Sequence, residues 1–270
     1  MSIYKKKPWP DYKIYVETRG HESKAVGLLF LHGFLGCSQD WVGVLDVFCA
    51  DFFCVALDLP GHGNSLEDDE AIYNMPNLAA YIAELLQAWP TKKWAVIGYS
   101  MGGRLALYLT LSYPDIFIKA VMISASPGLE KADERLRREH EDELLVQDLL
   151  QNPFEEFLKN WYQQPLFFSL RDKEKFAKIW QRRLQNKPKY LAKSINHMGL
   201  AKQPSLWPLL EGCLIPLLFV CGALDKKFLE LNQRMFRLCP QANLRVIANC
   251  GHNVVAELPE SLTKILRLFL

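Results

Sequence analysis

The stretch that decides the fold is Trp94-Ala95-Val96-Ile97-Gly98-Tyr99-Ser100-Met101-Gly102, an apolar run that ends in the pattern G-x-S-x-G. Residues 101–113 that follow have helical periodicity, so the pattern predicts a serine on a tight turn between a strand and a helix. Glycine on both sides lets the chain turn this sharply and pushes the serine hydroxyl out over the sheet edge. The first helical amides point at the same place. The stretch therefore predicts a serine nucleophile or base with half of an anion hole beside it.

Strand-like and helix-like segments alternate along the first half of the chain. An alternating run predicts an edge strand at residues 12–18, and short apolar runs predict buried parallel strands at residues 25–31, 52–57, 94–98 and 119–124. Helical periodicity lies between them, at residues 40–50, 74–89 and 101–113. This alternation predicts a mostly parallel sheet flanked by helices.

The pattern changes at residues 127–208, where charges, aromatics and helix formers are frequent and no strand is indicated. Strands resume at residues 216–221 and 244–248, separated by a helix at residues 228–238, and a terminal helix is predicted at residues 256–270. A sheet, a helical insertion and then the sheet again are typical of an α/β-hydrolase fold with a cap. We expect a core of residues 1–126 and 209–270 and a helical cap of residues 127–208.

Composition narrows the class of protein. The 270 residues are 50% hydrophobic with a formal charge of +2, which indicates a soluble α/β domain and argues against nucleic acid as a partner. Seven cysteines form no C-x-x-C pair and several lie in apolar runs, as expected for buried thiols in a reducing compartment. The first twelve residues have no apolar signal region, and no apolar run is long enough to insert into a membrane. We expect a cytoplasmic monomer or small homo-oligomer.

A serine base needs a histidine within hydrogen-bond reach and an acid to fix the tautomer of that histidine. In this fold the acid and then the histidine follow the serine along the chain, each on a loop after a strand. Asp225 and His252 occupy those two places. Asp225 could alternatively cap the next helix. The order and context predict a catalytic triad of Ser100, Asp225 and His252.

Backbone amides near the serine could form an oxyanion hole. Leu31-His32-Gly33-Phe34 follows a predicted strand, so the N–H of Phe34 could join that of Met101 beside Ser100, unless the segment is a plain strand-ending turn. His62 most simply shapes a turn.

Basic and aromatic side chains indicate the substrate. Arg104 lies four residues after Ser100, on the same side of the predicted helix. Arg138 and Arg183 lie in the insertion, where they either belong to solvated helix faces or grip carboxylates from above the serine. Trp161 and its aromatic neighbours either line the apolar part of the pocket or anchor the cap. Arginines over a serine indicate an anionic substrate.

Together these motifs resemble one family closely. The stretches that carry the resemblance span nearly the whole chain: Leu31-His32-Gly33-Phe34-Leu35-Gly36 with Asp40-Trp41, Asp58-Leu59-Pro60-Gly61-His62-Gly63, Gly98 to Arg104, Ser124-Ala125-Ser126-Pro127-Gly128-Leu129, Trp161 to Phe167, Gln203-Pro204-Ser205-Leu206-Trp207 and Asp225-Lys226-Lys227-Phe228. They look like 2-succinyl-6-hydroxy-2,4-cyclohexadiene-1-carboxylate synthase, an α/β-hydrolase-fold lyase of menaquinone and phylloquinone biosynthesis. The stretch His197-Met198-Gly199-Leu200-Ala201 departs from the glycine-rich segment common in that family.

The resemblance implies elimination of pyruvate from a succinylated enolpyruvyl cyclohexene carboxylate, with no acyl-enzyme. By position it makes Ser100 the base, His252 the acceptor of its proton and Asp225 the residue that orients His252. It also implies that Tyr99 and three arginines bind the polycarboxylate substrate, the arginines being Arg104, Arg138 and Arg183. It assigns no role to Lys226 or Lys227.

A second enzyme class remains open at this stage. A carboxylesterase, thioesterase or C–C hydrolase would use the same triad through an acyl-enzyme. Such an enzyme, acting on a neutral ester, would have no need for three arginines in one pocket. The sequence predicts no metal and no organic cofactor, because it has neither metal-ligand spacing nor a G-x-G-x-x-G after a strand.

Overall fold

The computed structural model describes residues 12–170 and 173–270. The strands within these residues are β1 (Val16–Arg19), β2 (Val26–Leu31), β3 (Phe53–Leu57), β4 (Lys93–Tyr99), β5 (Phe117–Ile123), β6 (Leu217–Gly222) and β7 (Ala242–Ile247). They form one sheet in the order β1-β3-β2-β4-β5-β6-β7. All neighbours pair in parallel except β1, which runs antiparallel to β3. The predicted mostly parallel sheet is confirmed, and β4 lies in the middle of it.

The edge strand is shorter than predicted. The sequence indicates a strand at residues 12–18, but β1 begins at Val16. The side chains of Tyr12 and Ile14 face the core as the alternation indicates, but the backbone there bonds elsewhere. The N–H of Tyr15 donates to the Ser65 hydroxyl at 2.8 Å rather than to a neighbouring strand. The Ser65 hydroxyl thus takes the place of a strand partner for this N–H, whereas the carbonyl of Tyr15 accepts the N–H of Asp58, directly after β3, at 3.0 Å.

Helices cover both faces of the sheet. In the core they are α1 (Val42–Phe48), α2 (Met75–Gln87), α3 (Met101–Ser112), α8 (Lys226–Leu238), α9 (Val254–Glu257) and α10 (Pro259–Phe269). Successive strand residues face opposite sides, as the period of a strand requires. Leu29 and Leu31 therefore pack with α2 and α3, whereas Leu28 and Phe30 pack with α1 and α10.

The single terminal helix predicted at residues 256–270 is wrong, because two helices, α9 and α10, occupy this region. The break falls at Leu258, whose φ of −137° and ψ of 62° are not helical. Pro259 follows directly, and a proline disfavours helical geometry in the residue before it while suiting the first position of a new helix.

Four helices lie between β5 and β6, namely α4 (Ala132–Gln151), α5 (Phe154–Gln163), α6 (Lys173–Arg183) and α7 (Pro188–Met198). They have a hydrophobic cluster of their own, which includes Leu149, Phe157 and Leu191. The two ends of the insertion meet where the N–H of Leu206 donates to the carbonyl of Pro127 at 2.7 Å. The division into a core and a cap at residues 127 and 208 stays a prediction that this arrangement supports.

No helix in residues 12–170 and 173–270 is long and apolar enough to cross a membrane. The prediction that no secretory signal is present concerns residues 1–12, almost all of which lie outside the described part of the chain. The cytoplasmic location and the oligomeric state stay predictions.

Candidate active site

Ser100 sits on a strained turn between β4 and α3. Its φ of 50° and ψ of −109° are unfavourable for a residue with a side chain, and its N–H donates to the carbonyl of Ile123 at 2.8 Å. A Cβ at Gly98 would overlap the carbonyl of Gly102, and one at Gly102 would overlap the carbonyl of Leu31. Only glycine fits at both positions, which confirms the tight turn that the G-x-S-x-G pattern predicts.

The three predicted triad residues are in hydrogen-bond contact. The Nε2 of His252 lies 3.1 Å from the Oγ of Ser100, and its Nδ1 lies 2.7 Å from the Oδ2 of Asp225. A carboxylate only accepts hydrogen bonds, so Nδ1 carries a proton and Nε2 is free to accept the serine hydroxyl. Asp225 and His252 are both buried. The arrangement can pass a proton from Ser100 to His252.

Asp225 makes both contacts that its sequence position allows. Its Oδ2 contacts His252, and its Oδ1 accepts the N–H of Phe228 at 3.3 Å, which caps α8. The loop that carries His252 is held by buried Glu257, which accepts the N–H of Gly251 at 2.8 Å. The acid and the histidine are therefore fixed by their own loops as well as by each other.

The peptide between Gly33 and Phe34 has a fixed orientation. The Nε2 of His32 accepts the N–H of Leu59 at 2.9 Å, so its Nδ1 carries the proton and donates to the carbonyl of Gly33 at 2.8 Å. In a trans peptide the Phe34 N–H points away from that carbonyl. Phe34 and Met101 line the cavity beside Ser100, as an oxyanion hole requires.

Most of the predicted site residues line one cavity of about 250 Å³. The predicted binding and catalytic side chains that line it are Phe34, Tyr99, Ser100, Met101, Arg104, Arg138, Trp161, Arg183 and His252. Asp225 lies behind His252. Residues from the core and from the cap helices thus meet over the serine.

Arg183 is the most buried cation of the cavity, with 4% of its surface exposed. Its Nη1 and Nη2 contact the two oxygens of Asp40 at 3.1 and 2.7 Å, and its Nε lies 3.2 Å from the Tyr162 hydroxyl. Burial pushes the pKa of Asp40 upward, but the charge and hydrogen bonds of Arg183, with help from Arg182, leave it below its usual value. The sequence did not identify Asp40 as a partner.

Arg138 is held within its own helix. Its Nε and Nη2 contact the Oδ1 of Asp142 at 2.8 and 2.7 Å, one helical turn further along α4. This side of α4 is therefore not a solvated face, and the i,i+4 spacing could have signalled the pair from sequence. The Oδ2 of Asp142 is buried with no hydrogen-bond partner among the residues described.

Arg104 has only neutral partners among the described residues. Its Nη1 donates to the Oε1 of Gln203 at 3.0 Å and its Nη2 to the carbonyl of Met198 at 2.9 Å. Burial lowers the pKa of Arg104 to about 10, and the nearby charge of Arg138 acts in the same direction. Within residues 12–170 and 173–270 no carboxylate lies within bonding distance of this guanidinium, which leaves its charge available to an anion.

Aromatic rings form the apolar wall of the cavity. The Trp161 ring lies 5.1 Å from that of Phe34 and also contacts Phe157 and Phe167, so it both lines the cavity and anchors the cap. Tyr99 packs against the imidazole of His252 at 5.5 Å. Burial raises the pKa of Tyr99 well above its usual value, so the phenol is neutral.

Two other basic residues have structural partners. Arg135 does not line the cavity, because its guanidinium donates to the carbonyls of Leu129 and Gln203 at 2.9 and 3.2 Å and so joins the two ends of the insertion. His62 shapes a turn, as predicted, through backbone hydrogen bonds with Leu59 and Ser65. Lys227, to which the family resemblance assigns no role, also lines the cavity.

The fold and the hydrogen-bonded serine define an enzyme of the α/β hydrolase superfamily. The α/β hydrolase fold family matches residues 27–259.

A 2-succinyl-6-hydroxy-2,4-cyclohexadiene-1-carboxylate synthase of Yersinia pseudotuberculosis is 31% identical over 238 residues, which cover 88% of this chain and 84% of that protein. The solved structure of MenH from S. aureus superposes with a TM-score of 0.90 and 28% identity, over 94% of this chain and 97% of that one. Protein PHYLLO of Arabidopsis thaliana is 32% identical over an alignment that covers 95% of this chain and 16% of PHYLLO. The chain belongs to the 2-succinyl-6-hydroxy-2,4-cyclohexadiene-1-carboxylate synthase family, and the hydrolase alternative is not favoured.

Proposed function

We propose that this enzyme eliminates pyruvate from 2-succinyl-5-enolpyruvyl-6-hydroxy-3-cyclohexene-1-carboxylate, giving 2-succinyl-6-hydroxy-2,4-cyclohexadiene-1-carboxylate in menaquinone or phylloquinone biosynthesis. The observation that carries the proposal is that Arg104, Arg138 and Arg183 all line the cavity over Ser100. The substrate has three carboxylates, and guanidinium groups bind carboxylates with good geometry.

Ser100 acts as a general base in this reaction. The proton to be removed is on ring carbon 2, which the neighbouring ketone of the succinyl group acidifies. The Oγ of Ser100 takes this proton while its own hydroxyl proton moves to the Nε2 of His252, 3.1 Å away. Asp225 stabilises the imidazolium that results through the 2.7 Å contact with Nδ1.

The electron pair left on carbon 2 moves to the ketone oxygen and makes an enolate. The N–H groups of Phe34 and Met101 stabilise this oxyanion. When the ketone re-forms, a double bond forms between carbons 2 and 3, the double bond between carbons 3 and 4 moves to carbons 4 and 5, and the bond between carbon 5 and the enolpyruvyl oxygen breaks. The enolate of pyruvate takes up one proton, which balances the proton lost from carbon 2. No water enters and no bond forms between Ser100 and the substrate.

A hydrolase would use the same serine differently. It would attack a carbonyl, form an acyl-enzyme and then need water. That chemistry would not account for Arg104, which faces the cavity without a carboxylate partner among the described residues. An elimination from a polycarboxylate uses the serine and the cations together.

The test is pyruvate release. The substrate is unstable, so it is generated in the cuvette by the preceding enzyme of the pathway, and pyruvate is followed with lactate dehydrogenase and NADH. Loss of a general base typically costs about 10²–10⁴-fold in rate, so Ser100→Ala should fall by that factor. Ser112→Ala, an exposed serine at the end of α3, is the matched control and should keep the wild-type rate.

A second measurement separates elimination from hydrolysis. The wild-type enzyme is mixed with substrate, quenched with acid and examined by intact-protein mass spectrometry. We expect no mass added at Ser100 and slow turnover of p-nitrophenyl acetate. A covalent acyl-serine, or no pyruvate above the spontaneous rate, would overturn the proposal.

A further inference from the structure

A lysine that neither the family resemblance nor the proposed mechanism explains lies at the mouth of the cavity. Lys227 is in the first turn of α8, two residues after Asp225, and its side chain is exposed. It lines the same cavity as Ser100 and the three arginines, whereas the adjacent Lys226 does not line it. The chain therefore offers two neighbouring lysines, of which one faces the site.

The charge of Lys227 is not neutralised by a neighbouring acid. Arg138 and Arg183 are each bound to a carboxylate, Asp142 and Asp40 respectively. Lys227 makes no ion pair within residues 12–170 and 173–270, and its Nζ lies 5.9 Å from the centre of the Phe228 ring. Its charge is therefore available to an anion that enters the cavity.

The position of this lysine is unfavourable for the helix. The first turn of a helix has a partial positive charge and favours acidic side chains, but the first turn of α8 has none and carries two lysines instead. Residues whose charge is unfavourable for the local structure, and which have no neighbour that compensates for it, are expected mainly at functional sites. The presence of Lys227 at the cavity is explained if its charge binds substrate.

The backbone position of Lys227 is fixed relative to the reacting groups. Its neighbour Phe228 donates its N–H to Asp225, and the Phe228 ring packs 4.6 Å from the imidazole of His252. Arg104 and Arg138 come from α3 and α4, and Arg183 comes from α6. Lys227 thus adds a cation from a further side of the cavity, that of the triad acid.

We infer that Lys227 binds one carboxylate of the substrate and is a specificity-determining residue. The inference rests on the proposed function, since it assumes a polycarboxylate bound over Ser100. An ammonium group is a compact point charge on a flexible stem, so one oxygen suffices and the contact forms and breaks readily at an exposed position. The residue acts on substrate binding and takes no part in proton transfer.

The test compares Lys227→Ala with Lys226→Ala in the pyruvate-release assay. Losing one charge-assisted contact at a partly exposed site should raise KM by about fivefold in Lys227→Ala with kcat within about twofold. Lys227→Arg should restore KM, and Lys227→Glu should raise it beyond the alanine variant. Lys226→Ala should stay within about twofold of wild type in both constants.

Thermal unfolding by circular dichroism distinguishes this role from a structural one. Removing a cation from the first turn of α8 should leave Tm unchanged or raise it, and Lys227→Glu should raise it. A fall in Tm in step with the rise in KM would overturn the inference, because Lys227 would then act through the fold. Equal KM values for Lys227→Ala and Lys226→Ala would also overturn it.

Inhibition by small molecules that resemble parts of the substrate identifies which carboxylate Lys227 binds. If Lys227 contacts the enolpyruvyl carboxylate, the inhibition constant of pyruvate rises in Lys227→Ala, whereas contact with the succinyl carboxylate raises that of succinate. No change in either constant assigns the contact to the ring carboxylate, which neither inhibitor carries, and the inference itself is then decided by the KM comparison of Lys227→Ala with Lys226→Ala. Failure of the proposed function is separate, because the wild-type enzyme would then release no pyruvate at all.

Discussion

Asp40 holds Arg183 through both carboxylate oxygens, although the two residues are 143 positions apart in the chain. Asp40 belongs to the turn before α1, in the core, and Arg183 ends α6, in the insertion. The pair therefore directs a cation of α6 into the cavity and joins the insertion between β5 and β6 to the turn before α1. Because Arg183 is almost fully buried, its orientation depends on this carboxylate.

Replacing Asp40 should destabilise the fold and weaken substrate binding. Asp40→Asn leaves a buried guanidinium without its counter-charge, which typically costs about 3–5 kcal/mol in the free energy of unfolding. KM should rise because Arg183 is no longer held by two oxygens. Urea unfolding followed by tryptophan fluorescence measures the first effect and the pyruvate assay the second. Asp46→Asn, which removes an exposed pair with Arg19, should change stability by no more than about 1 kcal/mol.

The same pair predicts a dependence of stability on acid. The pKa of Asp40 is lower in the folded protein than in the unfolded chain, so its carboxylate stabilises the fold above the unfolded value. This contribution is lost as the pH falls from about 4, the unfolded pKa of aspartate, through the lower folded pKa. The difference in unfolding free energy between wild type and Asp40→Asn should therefore shrink in that window. If the difference in unfolding free energy between the two proteins stayed constant down to pH 2.5, the titration of Asp40 would not be its source.

The sequence predicts the reacting residues of the site better than it predicts the residues that hold the binding side chains in place. A strand, a glycine-flanked serine and the order Ser100, Asp225, His252 are local or ordered signals, and the structure brings these residues together. The link between Asp40 and Arg183 has no local signal, since it depends on how the cap folds over the core. The break before Pro259 is a local signal in the sequence, but one continuous helix was predicted there.

Arg104 should contribute to the affinity for the substrate and should make that affinity fall at alkaline pH. Burial lowers its pKa to about 10, and an anion binds only the charged form, so KM should rise as the pH increases through this value. Arg104→Gln removes the charge while keeping an amide that can donate to Met198. We expect KM about 10–100-fold higher and a smaller alkaline rise in KM than in the wild type, measured by initial rates of pyruvate release.

Arg135→Gln is the matched control for Arg104→Gln. Both arginines bond to Gln203, but Arg135 reaches its backbone carbonyl from outside the cavity. Its replacement should lower stability by about 1–2 kcal/mol with KM changed less than threefold. If the two variants raised KM equally, the effect of Arg104 would be structural and the alkaline limit would need another source.

The glycines of the serine turn should tolerate no side chain. In Gly102→Ala the new Cβ would overlap the carbonyls of Leu31 and His32, so the turn or the end of β2 must move. We expect a loss of at least about 2–3 kcal/mol in stability and a fall in kcat, because Ser100 shifts relative to His252. Gly43→Ala in α1 meets no atom within 4 Å and should instead stabilise the fold by about 0.5–1 kcal/mol. Differential scanning calorimetry of both variants checks the contrast, and similar Tm values would contradict it.

Arg234 should hold the insertion on the core. Its guanidinium lies 3.8 Å from the ring centre of Trp207, at the end of the insertion, and pairs with both oxygens of Glu130, at its beginning. The ion pair is half exposed and contributes little, so the stack on Trp207 should dominate at about 1 kcal/mol. Arg234→Ala should therefore cost that much stability and speed amide hydrogen exchange at residues 128–130 and 205–207, with a smaller effect at β4. Arg237 is exposed on the same helix, so Arg237→Ala is the control and should leave amide exchange unchanged. Equal exchange in the wild type and both variants would contradict the prediction. Other contacts, such as the hydrogen bond from Trp207 Nε1 to the carbonyl of Gly128, would then hold the insertion.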